Sequence, residues 1–330
     1  MLEESTTYEA VRSLSIIICT WNRSNSLDAT LRSIETQKLP ESCIVEVIVV
    51  DNNSTDNTKE VVRNYQSKWS FGQLRYLREE RQGKQFALNL AIRNAIGDVL
   101  AFTDDDVFFC NDWAIGIVNC FRSFQIDLAG GKTIPVWPGN ESPTWFQSSM
   151  QAVVAGVDCG DVPLIAPLNY YPAGTNLSAR GSLFKKIGLF SEAHFRHMDY
   201  EFGLRAQISG ASIAYRPELV VYAPVDPSII NMRYFRRWYF KLGIASAIRS
   251  LDTSPRFFGV PRWMLRTIVG DAFKVVYERL RWGVNYSFKR ETRLFELLGH
   301  VCSVWYSRLY PTSHARWVVH RSQKKGGTFG

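Results

Sequence analysis

Asp98-Val99-Leu100-Ala101-Phe102-Thr103-Asp104-Asp105-Asp106-Val107 is the stretch on which the fold turns. An apolar run of strand length stops abruptly at three consecutive carboxylates. Packed together in a dry site, three carboxylates repel, and one or more takes up a proton. A cation therefore belongs among them, and hard oxygen donors favour Mg²⁺ or Mn²⁺ over softer metals. A strand with acids at its C-terminal tip points them into the crevice where open α/β sheets bind ligands. The alternative is a solvated acidic loop.

Working outward, the same pattern recurs upstream. Ser13-Leu-Ser-Ile-Ile-Ile-Cys-Thr20 is apolar on both faces, as a buried parallel strand is. Trp21 to Asn25 is a loop, and Leu27, Leu31 and Ile34 mark a helix with Asn25 or Ser26 as its N-cap. Ile44-Val-Glu-Val-Ile-Val-Val50 is a second buried strand ending at Asp51. The polar loop Asn52 to Thr58 caps a helix bearing Val61, Val62 and Tyr65. Leu74-Arg-Tyr-Leu77 is a third strand. A helix from Lys84 to Ala95 is expected to end at Gly97 as its C′ glycine.

Strand and helix thus alternate through the first hundred residues, which predicts an α/β chain with a Rossmann-like, mostly parallel, doubly wound sheet. Each strand tip carries polar groups: Thr20 to Arg23, Asp51 to Asn53, Arg81 to Lys84, and Asp104 to Asp106. No GxGxxG or GxxxxGK[ST] pattern is present, so neither a dinucleotide fingerprint nor a phosphate loop is indicated.

Cys19-Thr-Trp-Asn-Arg23, Val49-Val-Asp-Asn-Asn-Ser-Thr-Asp-Asn-Thr58 and Phe102-Thr-Asp-Asp-Asp106 together resemble the family 2 glycosyltransferases of the GT-A fold. So do Gly174-Thr-Asn176 and Met198-Asp-Tyr-Glu-Phe-Gly-Leu-Arg205. The resemblance spans residues 13–225, with its motifs in the family's order. It implies that Thr20, Asn22, Arg23, Asp51 and Asn53 line the nucleotide, with Asp51 accepting from a uracil imide N–H, which favours a UDP-linked donor. Asp104 and Asp106 match the ends of the family's DxD motif, with Asp105 between them on the nucleotide-sugar side. Asp104 meets ribose or metal, and Asp106 holds the Mg²⁺ or Mn²⁺ that offsets charge on the leaving diphosphate. Arg81 and Lys84 either add contacts to phosphates or base or are solvated loop charges.

The resemblance also gives Gly174 a close backbone approach and sets the Asn176 amide toward donor-sugar hydroxyls. Asp199 matches the general base that takes the proton of the acceptor hydroxyl, so that one displacement inverts the anomeric centre. Glu201 is expected to touch the acceptor, and Arg205 to brace the site by pairing with a carboxylate. Two positions depart from the family. Met198 replaces a Glu, and Ala223 stands where many members place a metal-ligating His. Either His194 or His197 compensates, or fewer protein ligands hold the ion, as Mg²⁺ and Mn²⁺ sites allow.

Residues 111–124 read as a helix, Ile126 to Ile134 as a strand, and Ser182 to Ile187 as a short helix ended by Gly188. Pro135 to Pro172 is poorly patterned but aromatic, and reads as an acceptor-side wall and lid. Trp137, Trp145 and Tyr171 are its candidate sugar-stacking surfaces, core packing being the commoner fate of such residues.

The tail differs from the body. Residues 231–330 carry 19 Lys and Arg against 5 Asp and Glu, whereas the first 230 carry 20 against 26. Arg233, Arg237 and Lys241 form one helical row beside Tyr234, Trp238 and Leu242. A second helix is expected to start with Pro261 at its first position, with Leu265, Ile268, Val269, Ala272 and Val276 as its apolar stripe. The chain thus divides into an N-terminal extension (1–12), a catalytic domain (13–226) and a helical, basic-aromatic region (227–330). An anionic membrane surface is the expected partner of residues 231–330, with plain packing on the body as the alternative and no nucleic acid partner expected.

Six scattered cysteines without a CxxC pair argue against a zinc site or disulfide framework and suit a reducing compartment. The polar, acidic N-terminus does not read as a secretory signal. No apolar run approaches the ~20 residues of a spanning helix. The expectation is a cytoplasmic enzyme, peripheral on the inner face of the cytoplasmic membrane. It would be a non-processive, inverting glycosyltransferase moving sugar from a nucleotide-sugar to a glycan or lipid-linked acceptor. The rivals are a catalytically degenerate nucleotide-sugar-binding protein, which Met198 and Ala223 favour, and a sugar nucleotidyltransferase. The latter needs a glycine-rich loop where Thr20 to Asn25 has no glycine.

Overall fold

A strand covered on both faces has no polar side to show water, and Ser13–Thr20 (β1) is buried along its whole length. The computed structural model of the chain describes residues 10–167, 170–192, 198–249, 254–311 and 313. Beside β1 lie Ile44–Asp51 (β2), Gln73–Arg78 (β3) and Val99–Thr103 (β4), in the order β3-β2-β1-β4, all parallel. Ser24–Glu35 (α1), Thr58–Gln66 (α2) and Lys84–Asn94 (α3) make the crossovers. Parallel pairing aligns the strand ends, so Thr20 stands opposite Asp51 and Asp51 opposite Arg78.

Beyond β4 the sheet becomes antiparallel. Phe108–Phe109 (β5), Leu128–Val136 (β6), Leu164–Ile165 (β7), Asn176–Arg180 (β8) and Ile213–Pro224 (β9) extend the order to β3-β2-β1-β4-β8-β6-β9-β5, with β7 on β9. β8 runs antiparallel to both β4 and β6. That reversal places the N-terminal end of β8 against the C-terminal end of β4, with Asn176 opposite Thr103. Trp113–Ser123 (α4), Gly181–Ile187 (α5) and Met198–Ile208 (α6) complete this part. Strand alternation feeds two cores: Leu14, Ile16 and Ile18 pack with residues of α1, α2 and α4, and Ile17 and Cys19 with residues of α3, α5 and α6.

Two local expectations are corrected. The first turn of α1 is capped not by Asn25 or Ser26 but from the next loop, where Asp56 Oδ2 accepts from the Ser24 N–H at 2.9 Å. Gly97 is not a C′ glycine. A Cβ there would stand 2.5 Å from the Ser15 backbone N and 2.6 Å from the Val99 carbonyl oxygen, so only glycine lets α3 return to β4.

The chain groups into two compact units, Met1–Pro135 with Ala155–Pro224, and Val136–Val154 with Val225–Gly330. The second unit is helical: Met232–Arg249 (α7), Arg262–Trp282 (α8) and Val284–Leu309 (α9). The 26-residue α9 has no counterpart in the sequence reading, which saw only aromatic and basic segments there. Trp145 stacks edge-on against Phe235 at 4.9 Å and Phe288 at 5.2 Å, and Trp137 against Phe146 at 4.6 Å. In this unit these half-buried tryptophans pack against the core cluster of Met150, Val153, Val154, Phe235 and Phe288.

The approach of α7 to α9 is glycine-dependent. A Cβ on Gly243 (α7) would lie 1.8 Å from the Glu296 carbonyl oxygen, and one on Gly299 (α9) 2.0 Å from that of Phe240. Gly243→Ala is expected to cost about 1–3 kcal/mol by overpacking, read as an earlier thermal transition by circular dichroism. Gly270→Ala is the control: nothing lies within 4 Å of a Cβ there. Relief of glycine entropy should leave it neutral or up to ~1 kcal/mol more stable.

Candidate active site

At the tip of β4, Asp104, Asp105 and Asp106 meet two cations. Lys84, the first residue of α3, donates its ammonium to Asp104. Thr175, just before β8, donates its hydroxyl to the other Asp104 oxygen at 2.6 Å. Arg23, after β1, donates to Asp105 Oδ1 at 3.0 Å and Asp106 Oδ2 at 2.7 Å. Burial works against the charge of Asp104, but Lys84's attraction, with the hydrogen bonds from Lys84 and Thr175, holds its carboxyl below the usual range. Burial raises the Asp105 carboxyl, against the pull of Arg23. Asp106 is pushed up to about 6, first by burial and then by the charges of Asp104 and Asp105.

Three carboxylates against Lys84 and Arg23 leave one negative charge over, shared by Asp105 and Asp106 on a single guanidinium, with Asp106 at the exposed end of the row. Such a donor set fits a hard divalent ion taking one or two carboxylates and completing its shell with ligand oxygens. Among the described residues no group of three or more His, Cys, Asp and Glu is arranged to hold an ion by itself. Ala223 and Met198 are both buried in apolar clusters and contribute no donor. His194 and His197 lie outside the described residues.

The second half of the site comes from α6. Asp199 sits in its first turn, where Oδ2 accepts from the Gly174 N–H at 2.9 Å and Oδ1 from the Tyr200 N–H at 2.9 Å. Gly174 and Thr175 are consecutive, so adjacent residues hold Asp199 on one side and Asp104 on the other. Carboxylates about a hundred residues apart in sequence are thereby set across one short span of backbone. A Cβ on Gly174 would lie 3.7 Å from Asp199 Oδ2, so a side chain there would screen that carboxylate.

Other expected residues are placed differently. Asn176 is 2% exposed and its amide is fully engaged. Its oxygen accepts from Trp113 Nε1 at 3.0 Å, and its nitrogen donates to the Lys132 and Leu219 carbonyls at 3.0 and 2.7 Å. It therefore ties strands and α4 together rather than facing a sugar. Glu201 is paired with Arg205 at 2.6 Å, and Arg205 also donates to the carbonyls of Ile187 and Leu189. Arg205 thus braces the entry to α6, and Glu201 is its counter-charge rather than a group turned to an acceptor. Arg81 donates to both oxygens of Glu79 and lies 4.4 Å over the Phe86 ring.

At the β2 tip, Asp51 is 1% exposed. Its oxygens accept from the Ser54 N–H at 2.7 Å and the Tyr76 hydroxyl at 2.6 Å, and Arg78 stands at 3.6 Å. Both Asp51 oxygens are thus already engaged. Asn22 and Asn53 both adopt positive φ, 51° and 65°, a conformation asparagine tolerates better than most residues. Asn22 Oδ1 accepts from the Thr55 N–H at 2.8 Å, and Asn53 Oδ1 from Arg78 at 2.7 Å. Thr20 is buried beneath Asp105.

Thr175 is the residue that sequence reasoning passed over, although it lies inside the Gly174-Thr-Asn176 motif. A hydroxyl between two favoured positions carried no signal until the β4–β8 pairing was known. Asn52 is a second case. It accepts from the Gly83 N–H at 2.8 Å and donates to the Arg81 carbonyl at 2.7 Å, locking the loop that delivers Lys84.

A sheet parallel through β4 and antiparallel beyond it, with an acid row at the β4 tip and a helix-borne carboxylate beside it, has the form of a GT-A glycosyltransferase. Known proteins agree. Residues 15–149 match the family model described as Glycosyl transferase family 2. Glycosyltransferase AglE of Haloferax volcanii is 24% identical over 216 residues, covering 65% of this chain and 67% of that protein. Succinoglycan biosynthesis protein ExoM of Rhizobium meliloti is 25% identical over 231 residues, covering 70% and 72%. The solved mannosyltransferase PcManGT of Pyrobaculum calidifontis, in complex with GDP-Man and Mn²⁺, superposes with a TM-score of 0.53 at 17% identity, over 96% of this chain and 86% of that one. The last likeness speaks for the fold. Residues 15–149 are thus similar to family 2 of the glycosyltransferases.

Proposed function

We propose that the enzyme inverts configuration as it moves a sugar from a nucleoside-diphosphate sugar to an acceptor hydroxyl, with Asp199 as general base. The observation that carries this reading is the Gly174-Thr175 step, which fixes Asp199 beside the Asp104 row. Asp199 takes the acceptor proton as the oxygen attacks the anomeric carbon from the face opposite the diphosphate. Arg23 and Lys84 are the cations that face the leaving diphosphate. Asp106, with Asp104, would hold Mg²⁺ or Mn²⁺, an ion that offsets negative charge building on the leaving group. PcManGT is described with Mn²⁺, which favours the same assignment here.

The donor is taken to be UDP-linked because Asp51 is the carboxylate at the β2 tip and uracil presents one imide N–H. The name of one relative, succinoglycan biosynthesis protein ExoM, supports a reaction in glycan assembly, and the acceptor is a glycan or a lipid-linked saccharide, extended one residue at a time. The test is a thermal-shift comparison of UDP and GDP with and without Mn²⁺. A ligand bound only by the native state raises its melting temperature by mass action. UDP with Mn²⁺ should give the larger rise, and Asp106→Ala should remove the Mn²⁺-dependent part of it. A rise with GDP alone would reassign the base, and a Mn²⁺ effect that survives Asp106→Ala would move the ion elsewhere.

A further inference from the structure

We infer that the outer face of α8 is a docking surface for an anionic lipid bilayer, on which the second unit rests without crossing it. The inference depends on the helix itself and not on the transfer chemistry. The sequence predicted that Leu265, Ile268, Val269, Ala272 and Val276 form the apolar stripe of α8. The structure bears this out only in part: Leu265 and Ile268 pack against a cluster with Met264, but Val269 and Val276 are exposed, and the buried residues are Met264, Asp271, Val275 and Glu278. Two carboxylates point inward, where Arg290 pairs with Asp271 at 3.2 Å and with Glu278 at 2.7 Å. Large apolar side chains point outward: Val269 is 57% exposed, Phe273 73%, Val276 59%, Tyr277 60% and Leu280 84%.

Ordinary amphipathic helices do the opposite. At 3.6 residues per turn these five side chains fall within an arc of roughly 100° on the side away from Asp271 and Glu278. Both acids of α8 are buried, so its exposed surface carries none, while Arg262, Arg266, Lys274 and Arg281 are exposed. At the C-terminal end, Tyr277 meets Trp282 at 5.6 Å between ring centres and Trp282 meets Tyr286 at 4.8 Å. An apolar stripe, flanking cations and a tryptophan–tyrosine cluster are what a helix lying in the bilayer interface presents.

Charge selects the occupant. A two-fold contact with a second copy would set these cations against their own mates with no acid on the face to answer them. An anionic headgroup layer answers all of them and receives the apolar row. Among the described residues no helix is long and apolar enough to cross a membrane.

Flotation of the full chain with vesicles tests this. Wild type should float with vesicles containing phosphatidylglycerol and much less with phosphatidylcholine alone. Phe273→Ser with Leu280→Ser should lower partitioning roughly a hundredfold. Lys274→Gln with Arg281→Gln should lower it about fivefold per charge removed, at low salt. Circular dichroism checks that each variant folds, and the thermal rise with UDP and Mn²⁺, read in parallel, should be unchanged in both. Loss of that rise in the wild type would strike the donor assignment while leaving the surface standing. Wild type that stays with the soluble fraction would overturn the proposal. So would a Phe273→Ser, Leu280→Ser variant that floats like wild type, or one that merely turns a lipid-free dimer into monomers.

Discussion

Asp199→Asn should cut the rate of sugar transfer by about 10²–10⁴-fold and leave the thermal rise with nucleotide and Mn²⁺ nearly unchanged. The change keeps size and shape and removes the one capacity the role requires, that of accepting a proton as the acceptor oxygen attacks. Each carboxylate oxygen now accepts one backbone N–H, from Gly174 and from Tyr200, and retains a lone pair for a further partner. An amide can satisfy only one of those donors with its oxygen. A modest stability loss of about 1 kcal/mol is therefore expected, and the rate must be measured well below the melting temperature. The residues proposed to contact the nucleotide are the Asp104 row with Lys84 and Arg23, which Asp199 does not bond, so binding should be spared. An Asp199→Asn enzyme with transfer within threefold of wild type would remove Asp199 from the chemistry. Loss of nucleotide binding along with rate would instead make it a positioning residue for the β8 entry.

What the sequence could reveal follows from how locally each feature is determined. β1 and β2 were readable nearly to the residue because a strand buried on both faces must be apolar throughout. The acid row was readable because three adjacent carboxylates at a strand end have few structural explanations. Arg205 was expected to pair with a carboxylate, and it does, but the partner is Glu201 one turn earlier on the same helix, which the resemblance assigns to the acceptor. Asn176 was misread because an amide beside a motif looks the same whether it faces a ligand or three neighbouring elements. Only the pairing of β8 with β4 and β6 decides. The α1 cap came from Asp56, beyond the reach of any local rule. α8 was misread for a deeper reason. Its apolar residues are numerous enough to suggest a core-facing stripe, and nothing local says that Arg290, on another helix, will draw Asp271 and Glu278 inward.

Glu46→Ala should destabilise the sheet by about 3 kcal/mol, the lower end of what removing one partner of a buried ion pair costs. Glu46, the third residue of β2, is 0% exposed among apolar neighbours. One oxygen accepts from the Ser15 hydroxyl on β1 and from the Ile96 N–H at 2.8 Å. The other pairs with Arg75 on β3, which in turn donates to the Asn94 carbonyl at 2.8 Å. Ser15 Oγ also accepts from the Gly97 N–H at 2.8 Å. A single carboxylate thus joins three strands and the α3–β4 connection at the end of the sheet away from the site. β1 and β2, apolar along most of their length, could slide against one another with little change in burial, whereas these directional bonds are satisfied in one register only. That register is what sets Thr20, Asp51 and Arg78 side by side at the other end. Arg75 is about a quarter exposed and can turn to water when orphaned, which holds the cost below the upper end of the range. Glu46→Gln, keeping an acceptor for Ser15 and Ile96, should lose less. Urea unfolding resolves the two, with a shifted midpoint and an unchanged slope marking a pure stability effect. A Glu46→Ala midpoint within about 0.5 kcal/mol of wild type would mean that side-chain packing alone sets the register. A changed slope would mean that the strands had found a second one.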